Sequence, residues 1–177
     1  INLSHNLFNG GIPLSLGSNT SSSLLSIDIS GCNLSGPIPP TLGQLSALQH
    51  LNLQNNGIHG FIPPSLGELT SLRSLSLRSN RLSGPIFHGI GNLTLLEHLD
   101  LFDNALSGPI PDSIGRCVRL AKVQLGCNHL NSTIPASTSH LTVLEFFSAR
   151  SNSLTGEIPS GLLASTKLCY LDVSSNM

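Results

Sequence analysis

The side chains that could carry chemistry are few and dispersed along the 177 residues of this chain. It has 8 Lys and Arg, 9 Asp and Glu and 7 His, with a formal net charge of −1. The sequence contains no nucleophile elbow, phosphate-binding glycine loop, kinase signature or clustered pair of acids. We therefore expect no catalysis. The scattered cations also argue against a nucleic-acid surface, because phosphate binding requires clustered Lys and Arg.

The cysteines do not indicate a disulfide framework, since no spacing recurs among them. They are Cys32, Cys117, Cys127 and Cys169.

No apolar run approaches the roughly 18 residues that a membrane-spanning helix needs. We therefore expect no membrane contact by this segment itself.

Leucine recurs with a period of 24 residues, at Leu24, Leu48, Leu72, Leu96, Leu120, Leu144 and Leu168. Each repeat follows the pattern L-x-x-L-x-L-x-x-N-x-L-x-G-x-I-P-x-x-L-G-x-L, and the clearest copy runs over 48–69. A partial copy precedes Leu24, and the last copy stops at Asn176. The period predicts one solenoid over 1–177, of about seven 24-residue repeats with both caps missing.

Each recurring residue has a structural role. Leu48, Leu51 and Leu53 have the spacing of a short strand with an apolar side, so successive strands can pair in parallel about 4.8 Å apart. The ninth position should turn an amide inward at the corner after the strand. It holds Asn56, Asn80, Asn104, Asn128, Asn152 and Asn176, with Cys32 as a small substitute in the first full repeat. The L-G-x-L segment should close each coil as a short helical turn.

This pattern resembles the plant-specific class of leucine-rich repeats, which includes ectodomains of receptor-like kinases and receptor-like proteins and the polygalacturonase-inhibiting proteins. The most diagnostic segments are Ser35-Gly36-Pro37-Ile38-Pro39, Ser107-Gly108-Pro109-Ile110-Pro111 and Thr155-Gly156-Glu157-Ile158-Pro159. The resemblance implies a leucine-rich-repeat solenoid of the α/β repeat class, a right-handed superhelix with short parallel strands and 3-10 or short helical turns. It also implies a second short strand near G-x-I-P and an extracellular location, at the plasma membrane or in the cell wall.

Three local departures from the pattern are evident. Phe87 replaces the expected proline, and Ser132 replaces the expected glycine. Thr138 and Ser139 stand where Leu-Gly is expected, so the sequence predicts a looser convex side in that repeat.

The third, fifth and seventh positions alternate with the strand leucines and should point outward on the concave face. They vary while the leucines do not, so specificity could reside there. The predicted ligand-binding residues, with one corner residue, are Arg78, His98, Asp100, Phe102, Asp103, Lys122, Gln124, Phe146 and Arg150.

Phe102 and Phe146 are the candidate anchors, because aromatic and Arg side chains dominate interface hot spots. Arg78 and Arg150 share the seventh position with Phe102 and could grip a carboxylate. The alternative is that Phe102 packs across the stem of Arg78 and that these positions are only solvated.

His50 and His98 are the nearest approach to a metal site, at the same position two repeats apart. Their separation of roughly 10 Å is too large for one ion, and no acidic residue completes a ligand set. The sequence indicates no metal and no cofactor.

The sequence contains five Asn-x-Ser/Thr triplets, at Asn2, Asn19, Asn33, Asn92 and Asn131. Asn92 is the preferred glycosylation site, because a glycan on the convex side would leave the concave face clear.

Three functions are consistent with the resemblance. The leading one is an extracellular recognition segment of a receptor-like kinase or receptor-like protein, with a protein or peptide ligand and a co-receptor ectodomain as partners. The second is a soluble cell-wall inhibitor of a microbial polygalacturonase. The third is an ice-binding protein, against which the irregular charges of the concave face argue.

Overall fold

A computed structural model describes residues 1–18 and 23–177, which form a solenoid around two parallel sheets. The first sheet has seven strands in the spatial order β1-β3-β5-β7-β9-β11-β13. They are β1 (Ser26–Asp28), β3 (His50–Asn52), β5 (Ser74–Ser76), β7 (His98–Asp100), β9 (Lys122–Gln124), β11 (Phe146–Ser148) and β13 (Tyr170–Asp172). Ser74 pairs with His98 and His98 with Lys122, so equivalent positions of successive repeats are neighbours.

The second sheet lies near the G-x-I-P segments and has six strands, also parallel and in chain order. They are β2 (Ser35–Gly36), β4 (Gly57–Phe61), β6 (Arg81–Gly84), β8 (Ala105–Pro109), β10 (His129–Thr133) and β12 (Ser153–Thr155). Here His59 pairs with Arg81, so the sequence offset between neighbours differs from the 24-residue repeat. This sheet confirms the second strand that the resemblance implied.

Short helices close the convex side of each coil. They are the 3-10 helices Leu14–Leu16, Pro40–Gln44, Pro64–Glu68, His88–Asn92, Asp112–Arg116 and Ala136–His140, followed by the α-helix α1 (Ser160–Leu163). A proline precedes most of them with φ near the value that its ring imposes, for example −65° at Pro39. Phe87 adopts the same φ of −65°, so the missing proline leaves the backbone unchanged.

The repeat with Thr138 and Ser139 keeps a five-residue 3-10 helix, Ala136–His140. Thr138 is buried in the leucine position, and its hydroxyl donates to the Pro135 carbonyl at 2.7 Å. The backbone of this repeat therefore shows no loosening. The irregularity falls on the next coil, where α1 replaces the 3-10 helix and Gly161 lies against Ser139.

The core is a continuous column of leucine and isoleucine between the sheets and the convex helices. Leu48, Leu51 and Leu53 are each no more than 1% exposed, and the same positions are buried in the other central repeats. One repeat could not bury this surface alone, so stability depends on the stacking of neighbours.

The ninth-position asparagines connect each repeat to the preceding one. Asn80 accepts from the Ile58 N–H at 3.1 Å and donates to the Leu53 carbonyl at 2.9 Å, both one repeat earlier. The same two bonds recur at Asn56, Asn104, Asn128, Asn152 and Asn176. Cys32 substitutes as expected, since its Sγ donates to the Leu3 carbonyl at 3.0 Å.

The cysteines are free thiols that differ in burial. Cys117 is buried, which raises the pKa of its thiol to about 11, and its Sγ donates to the Ile90 carbonyl at 3.1 Å. Cys127 is half-buried and Cys169 is exposed.

Across residues 1–18 and 23–177, no helix has the length and apolar character that a bilayer crossing requires.

Candidate functional site

The first sheet places the predicted ligand-binding residues in three rows on the concave face. His98 and Lys122 occupy neighbouring strands at the third position and are both exposed. Asp100 and Gln124 are neighbours at the fifth position and are half-buried. Asp103 lies apart from the strands, at the exposed corner that follows β7.

Phe102 lies between two guanidinium groups. The Arg78 Cζ is 4.2 Å from the ring centroid of Phe102, and the Arg150 Cζ is 5.3 Å from it. Arg78 precedes Phe102 by one repeat and Arg150 follows it by two, so they approach from opposite sides. Both distances are within the range of cation–π attraction. The ring therefore acts chiefly as a spacer that holds two cations apart and in place.

Gly126 makes this arrangement possible, and the sequence analysis did not single it out. It occupies the seventh position between Phe102 and Arg150. A Cβ at Gly126 would lie 3.0 Å from the Arg150 Cγ and 3.2 Å from the Phe102 Cδ2. Only glycine leaves this space free, so Arg150 can reach across one repeat. The signal in the sequence was a glycine at the seventh position directly between the large residues Phe102 and Arg150.

Asp100 lies beside this cluster. Its carboxylate accepts from the Phe102 N–H at 3.1 Å, and its Oδ2 is 3.9 Å from an Arg78 Nη. Burial raises the pKa of Asp100, although the Phe102 N–H and the charges of Arg78 and Lys122 act in the opposite direction. Ser74, Ser76, His98, Asp100 and Lys122 line a shallow polar depression of about 310 Å³.

A second aromatic cluster lies at the third position of later repeats. The rings of Phe146 and Tyr170 are stacked, with centroids 4.3 Å apart and planes 4° apart. The Lys122 Nζ is 5.3 Å from the Phe146 centroid. The Tyr170 hydroxyl donates to Asp172 at 3.3 Å. Tyr170 is absent from the predicted set, although its in-register pairing with Phe146 follows from the repeat.

Three of the predicted glycosylation sites, Asn33, Asn92 and Asn131, lie away from the concave face, whereas Asn2 pairs with Asp28 at the edge of the first sheet. Asn92 is exposed at the end of the convex helix His88–Asn92. Asn33 and Asn131 are exposed near the second sheet. Asn2 is exposed, and its side-chain oxygen accepts from the Ser4 hydroxyl at 2.8 Å. Asn19 lies outside the described residues.

The histidines of the concave face lie on separate strands, with Ser74 paired between His50 and His98. Within residues 1–18 and 23–177, no three His, Cys, Asp or Glu side chains are grouped as metal ligands would be.

Comparisons with known families and structures agree with this architecture. Residues 22–82 match a family model described as leucine rich repeat, and residues 95–117 match a second one. The ectodomain of the plant membrane receptor kinase GASSHO1/SCHENGEN3 from Arabidopsis thaliana, in complex with CASPARIAN STRIP INTEGRITY FACTOR 2, is 33% identical with a TM-score of 0.96. The match covers 99% of this chain and 21% of that one. This chain belongs to the plant-type leucine-rich repeat family.

Two further similar structures show that proteins of different function share this solenoid. The Arabidopsis receptor kinase HAESA, in complex with the peptide hormone IDA and the co-receptor SERK1, is 30% identical over 99% of this chain and 37% of that chain, with a TM-score of 0.66. A plant ice-binding protein is 26% identical over 95% of this chain and 61% of that one, with a TM-score of 0.71. The chain thus spans well under half of either receptor ectodomain. No curated protein gave a match.

Proposed function

We propose that this chain is an extracellular recognition segment of a plant receptor-like kinase or receptor-like protein, and that its concave face binds an acidic peptide. The observation that carries the proposal is the placement of Phe102 between Arg78 and Arg150. Support also comes from the receptor ectodomains to which the chain is similar, which are described with the ligands that they bind.

The arginine pair suits an anionic group because its geometry is formed before a ligand arrives. Stacking on Phe102 restrains two long side chains that would otherwise lose rotamer freedom on binding. Arg150 is exposed and Arg78 has only a distant carboxylate partner, Asp100 at 3.9 Å. Their N–H groups can therefore form charge-assisted bonds to a carboxylate.

The dimensions of the face suit a short extended peptide. From the repeat of Arg78 to that of Tyr170 the first sheet takes four steps between strands, a distance of roughly 19 Å at ordinary strand spacing. About six extended residues would cover that length. The polar depression beside Asp100 and the ring edges of Phe146 and Tyr170 would contact the remaining side chains of the peptide.

Selection from a phage-displayed random peptide library tests this proposal. We expect enriched peptides that contain Asp or Glu and that bind about tenfold more weakly to Arg78→Ala and Arg150→Ala variants. Arg116→Ala is the matched control, because Arg116 is an exposed arginine on the convex side. Selection of peptides that are indifferent to Arg78 and Arg150 would refute the concave site.

We propose further that Asn92 carries a glycan, which has a test of its own. Secretion of the chain from plant cells should place a glycan on Asn92, because it is exposed on the convex helix His88–Asn92. Mass spectrometry before and after enzymatic deglycosylation measures its occupancy. An unmodified Asn92 in secreted protein would contradict the proposed glycosylation of this residue.

Ice binding is the second candidate, and the similar plant ice-binding protein favours it. Ice binding calls for a flat and uniform array, whereas the concave rows of this chain alternate among Lys122, Phe146 and Tyr170. Arrested recrystallisation of ice by micromolar protein would establish this function, and normal crystal growth would dismiss it.

A further inference from the structure

Three departures from the repeat pattern meet at one place, between the second sheet and the convex helices, whereas the arginine pair follows strands of the first sheet. Phe61 stands where the two adjacent repeats have Pro37 and Pro85. Phe87 stands where all other repeats have proline, and Gly89 stands where most have Ser or Thr. Only the folded chain shows that these residues, from two successive repeats, are neighbours.

Together they form an apolar pocket of about 430 Å³ at the end of the second sheet. We call it the lateral pocket, and its walls are Phe61, Pro64, Pro85, Phe87, His88 and Gly89. The ring of Phe61 lies across Gly84, where a Cβ would come within 2.5 Å of the Phe61 Cδ1. Phe61 is nevertheless 68% exposed, whereas Phe87 is 4% exposed and forms the floor.

The coil itself does not require these departures. Phe87 has φ −65° and ψ 134°, which proline adopts at the same position elsewhere. A Cβ at Gly89 would lie 3.5 Å from the Pro64 carbonyl oxygen. A serine there could donate to that oxygen, as Ser65 and Ser113 do to the preceding repeat at 2.7 and 2.8 Å. Phe87 packs into the core, but the coil forgoes the hydrogen bond of a serine at Gly89, and Phe61 is left largely in solvent.

Arg81 supplies a cation near the lateral pocket, and exposed imidazoles lie beside it. His59 and Arg81 are paired in register on β4 and β6, both are exposed, and His59 and Phe61 share the outward face of β4. His88 is exposed at the rim of the pocket. None of the lining residues carries a carboxylate. Arg81 is two residues along β6 from Ser83, the strand partner of Phe61, which is roughly 7 Å. A long side chain covers that distance.

We propose that the lateral pocket is a second binding site, which takes an apolar side chain of a partner protein with Asp or Glu beside it. The pocket volume accommodates an aromatic or branched aliphatic side chain. The acidic neighbour would face Arg81 and His59, and the charge-assisted contact would orient the segment. An exposed aromatic residue at the edge of an apolar pocket is typical of an interface hot spot.

This site is separate from the concave face. It is built on the second sheet and the convex helices Pro64–Glu68 and His88–Asn92, whereas the arginine pair follows strands of the first sheet. The inference does not depend on the proposed function. A segment with both sites could hold a ligand on one face and a second protein on the other.

Two variants are decisive, and the first of them restores the proline that Pro37, Pro85 and Pro109 provide in other repeats. Phe61→Pro removes the exposed wall, and its effect on stability should be small because the side chain is mostly in solvent. Arg81→Glu keeps the pocket and reverses the adjacent charge. Leu163→Ala is the matched control for loss of an exposed apolar side chain, since Leu163 is 58% exposed elsewhere.

The probe is a phage-displayed random peptide library, selected on the full chain with Arg78→Ala to remove the concave site. We expect enriched peptides that carry an aromatic or branched residue next to Asp or Glu. These should bind about tenfold more weakly to Phe61→Pro and to Arg81→Glu, with Leu163→Ala unchanged. Thermal unfolding of each variant confirms that it is folded.

Two results would overturn the proposal. One is that the selected peptides bind wild type and Phe61→Pro equally. The other is that they depend on Phe61 but are indifferent to Arg81→Glu, which would leave only nonspecific apolar adsorption. Loss of the concave site in the separate Arg78 experiment would leave this result unaffected, so the two proposals fail independently.

Discussion

The guanidinium of Arg78 lies 4.2 Å from the centroid of the Phe102 ring, and this stacking defines the candidate peptide site. Phe102→Ala should weaken binding of acidic peptides about tenfold, because both arginines lose the surface that restrains them. The free energy of unfolding should fall by only about 1 kcal/mol, since the ring is half-buried. Phe102→Trp should retain binding. Calorimetric titration and denaturant unfolding measure the two effects.

Leu99→Ala provides the contrasting control for this prediction. Leu99 lies three residues before Phe102 and is 1% exposed. Its truncation should cost about 2–5 kcal/mol of stability as a core cavity. If Phe102→Ala unfolded the chain and Leu99→Ala did not, the assignment of inward and outward positions would be incorrect.

The asparagine at the ninth position should be essential where it is buried. Asn128 is 6% exposed, donates to the Leu101 carbonyl at 3.0 Å and accepts from the Leu106 N–H at 3.0 Å. Asn128→Ala should cost about 2–5 kcal/mol, because it leaves buried backbone groups of two repeats unpaired. Asn128→Asp should be similarly harmful, since a carboxylate cannot donate to the carbonyls. Chemical denaturation with an unchanged slope would measure the loss, and a loss near zero would contradict the proposed role.

Ser132→Gly should stabilise the chain. Ser132 has a left-handed φ of 69°, in the bend where Gly60 and Gly108 have 84° and 80°. A side chain in this region is strained by about 1–2 kcal/mol, which glycine would relieve. Part of that gain is lost because glycine also increases the conformational entropy of the unfolded chain. We expect an increase of about 0.5–1 kcal/mol in the free energy of unfolding.

Ser107→Gly is the matched control for that substitution. Ser107 lies in β8 with ordinary backbone geometry, beside Gly108. Glycine there should destabilise the chain by about 0.5–1 kcal/mol. Equal effects of both substitutions would show that the backbone conformation is not the cause.

Asp100 should make stability depend on pH in an unusual direction. Burial raises its pKa above the ordinary value of 3.8, against the opposing effects of the Phe102 N–H and of Arg78 and Lys122. Its contribution is therefore complete below pH 3.8 and is lost as the pH rises through the folded-state pKa. Asp100→Asn should gain stability relative to wild type between about pH 3 and about pH 7.

Asp172→Asn should show the opposite trend in the same experiment. Hydrogen bonds from the Ser174 hydroxyl and N–H lower the pKa of Asp172. Its contribution is present above the ordinary pKa and is lost as the pH falls, so the variant should lose relative stability as the pH rises. Parallel denaturant titrations of the two variants give both signs, and a common sign would contradict the assignment.

The 24-residue period predicted most of the scaffold, because each recurring residue has one physical role. Leu99 is buried, Asn128 bridges two repeats, and Cys32 replaces asparagine with its own hydrogen bond to the preceding repeat, as the pattern indicated. These roles repeat in every coil, so the repeats can be aligned with one another to separate structural from variable positions. The assignment of Arg78, Phe102 and Arg150 to ligand binding stays a prediction.

The contacts that do not repeat could not be predicted. The reach of Arg150 across Gly126 depends on a side-chain conformation that the pattern does not encode. Phe87 was recognisable as a departure, but its proximity to Phe61 depends on how the second sheet steps from repeat to repeat. Both contacts involve residues that differ from the repeat pattern, so the 24-residue period carries no information about them.

The asparagine bonds have a consequence for how the chain is made. Besides its bonds within its own repeat, each of these asparagines bonds to the preceding repeat, so the corner of one coil is completed by a side chain from the coil that follows. A ribosome releases the amino-terminal repeats first. Each newly emerged coil therefore waits, with its corner open to water, for one further period of synthesis. We therefore expect this solenoid to fold during synthesis in steps of a single repeat.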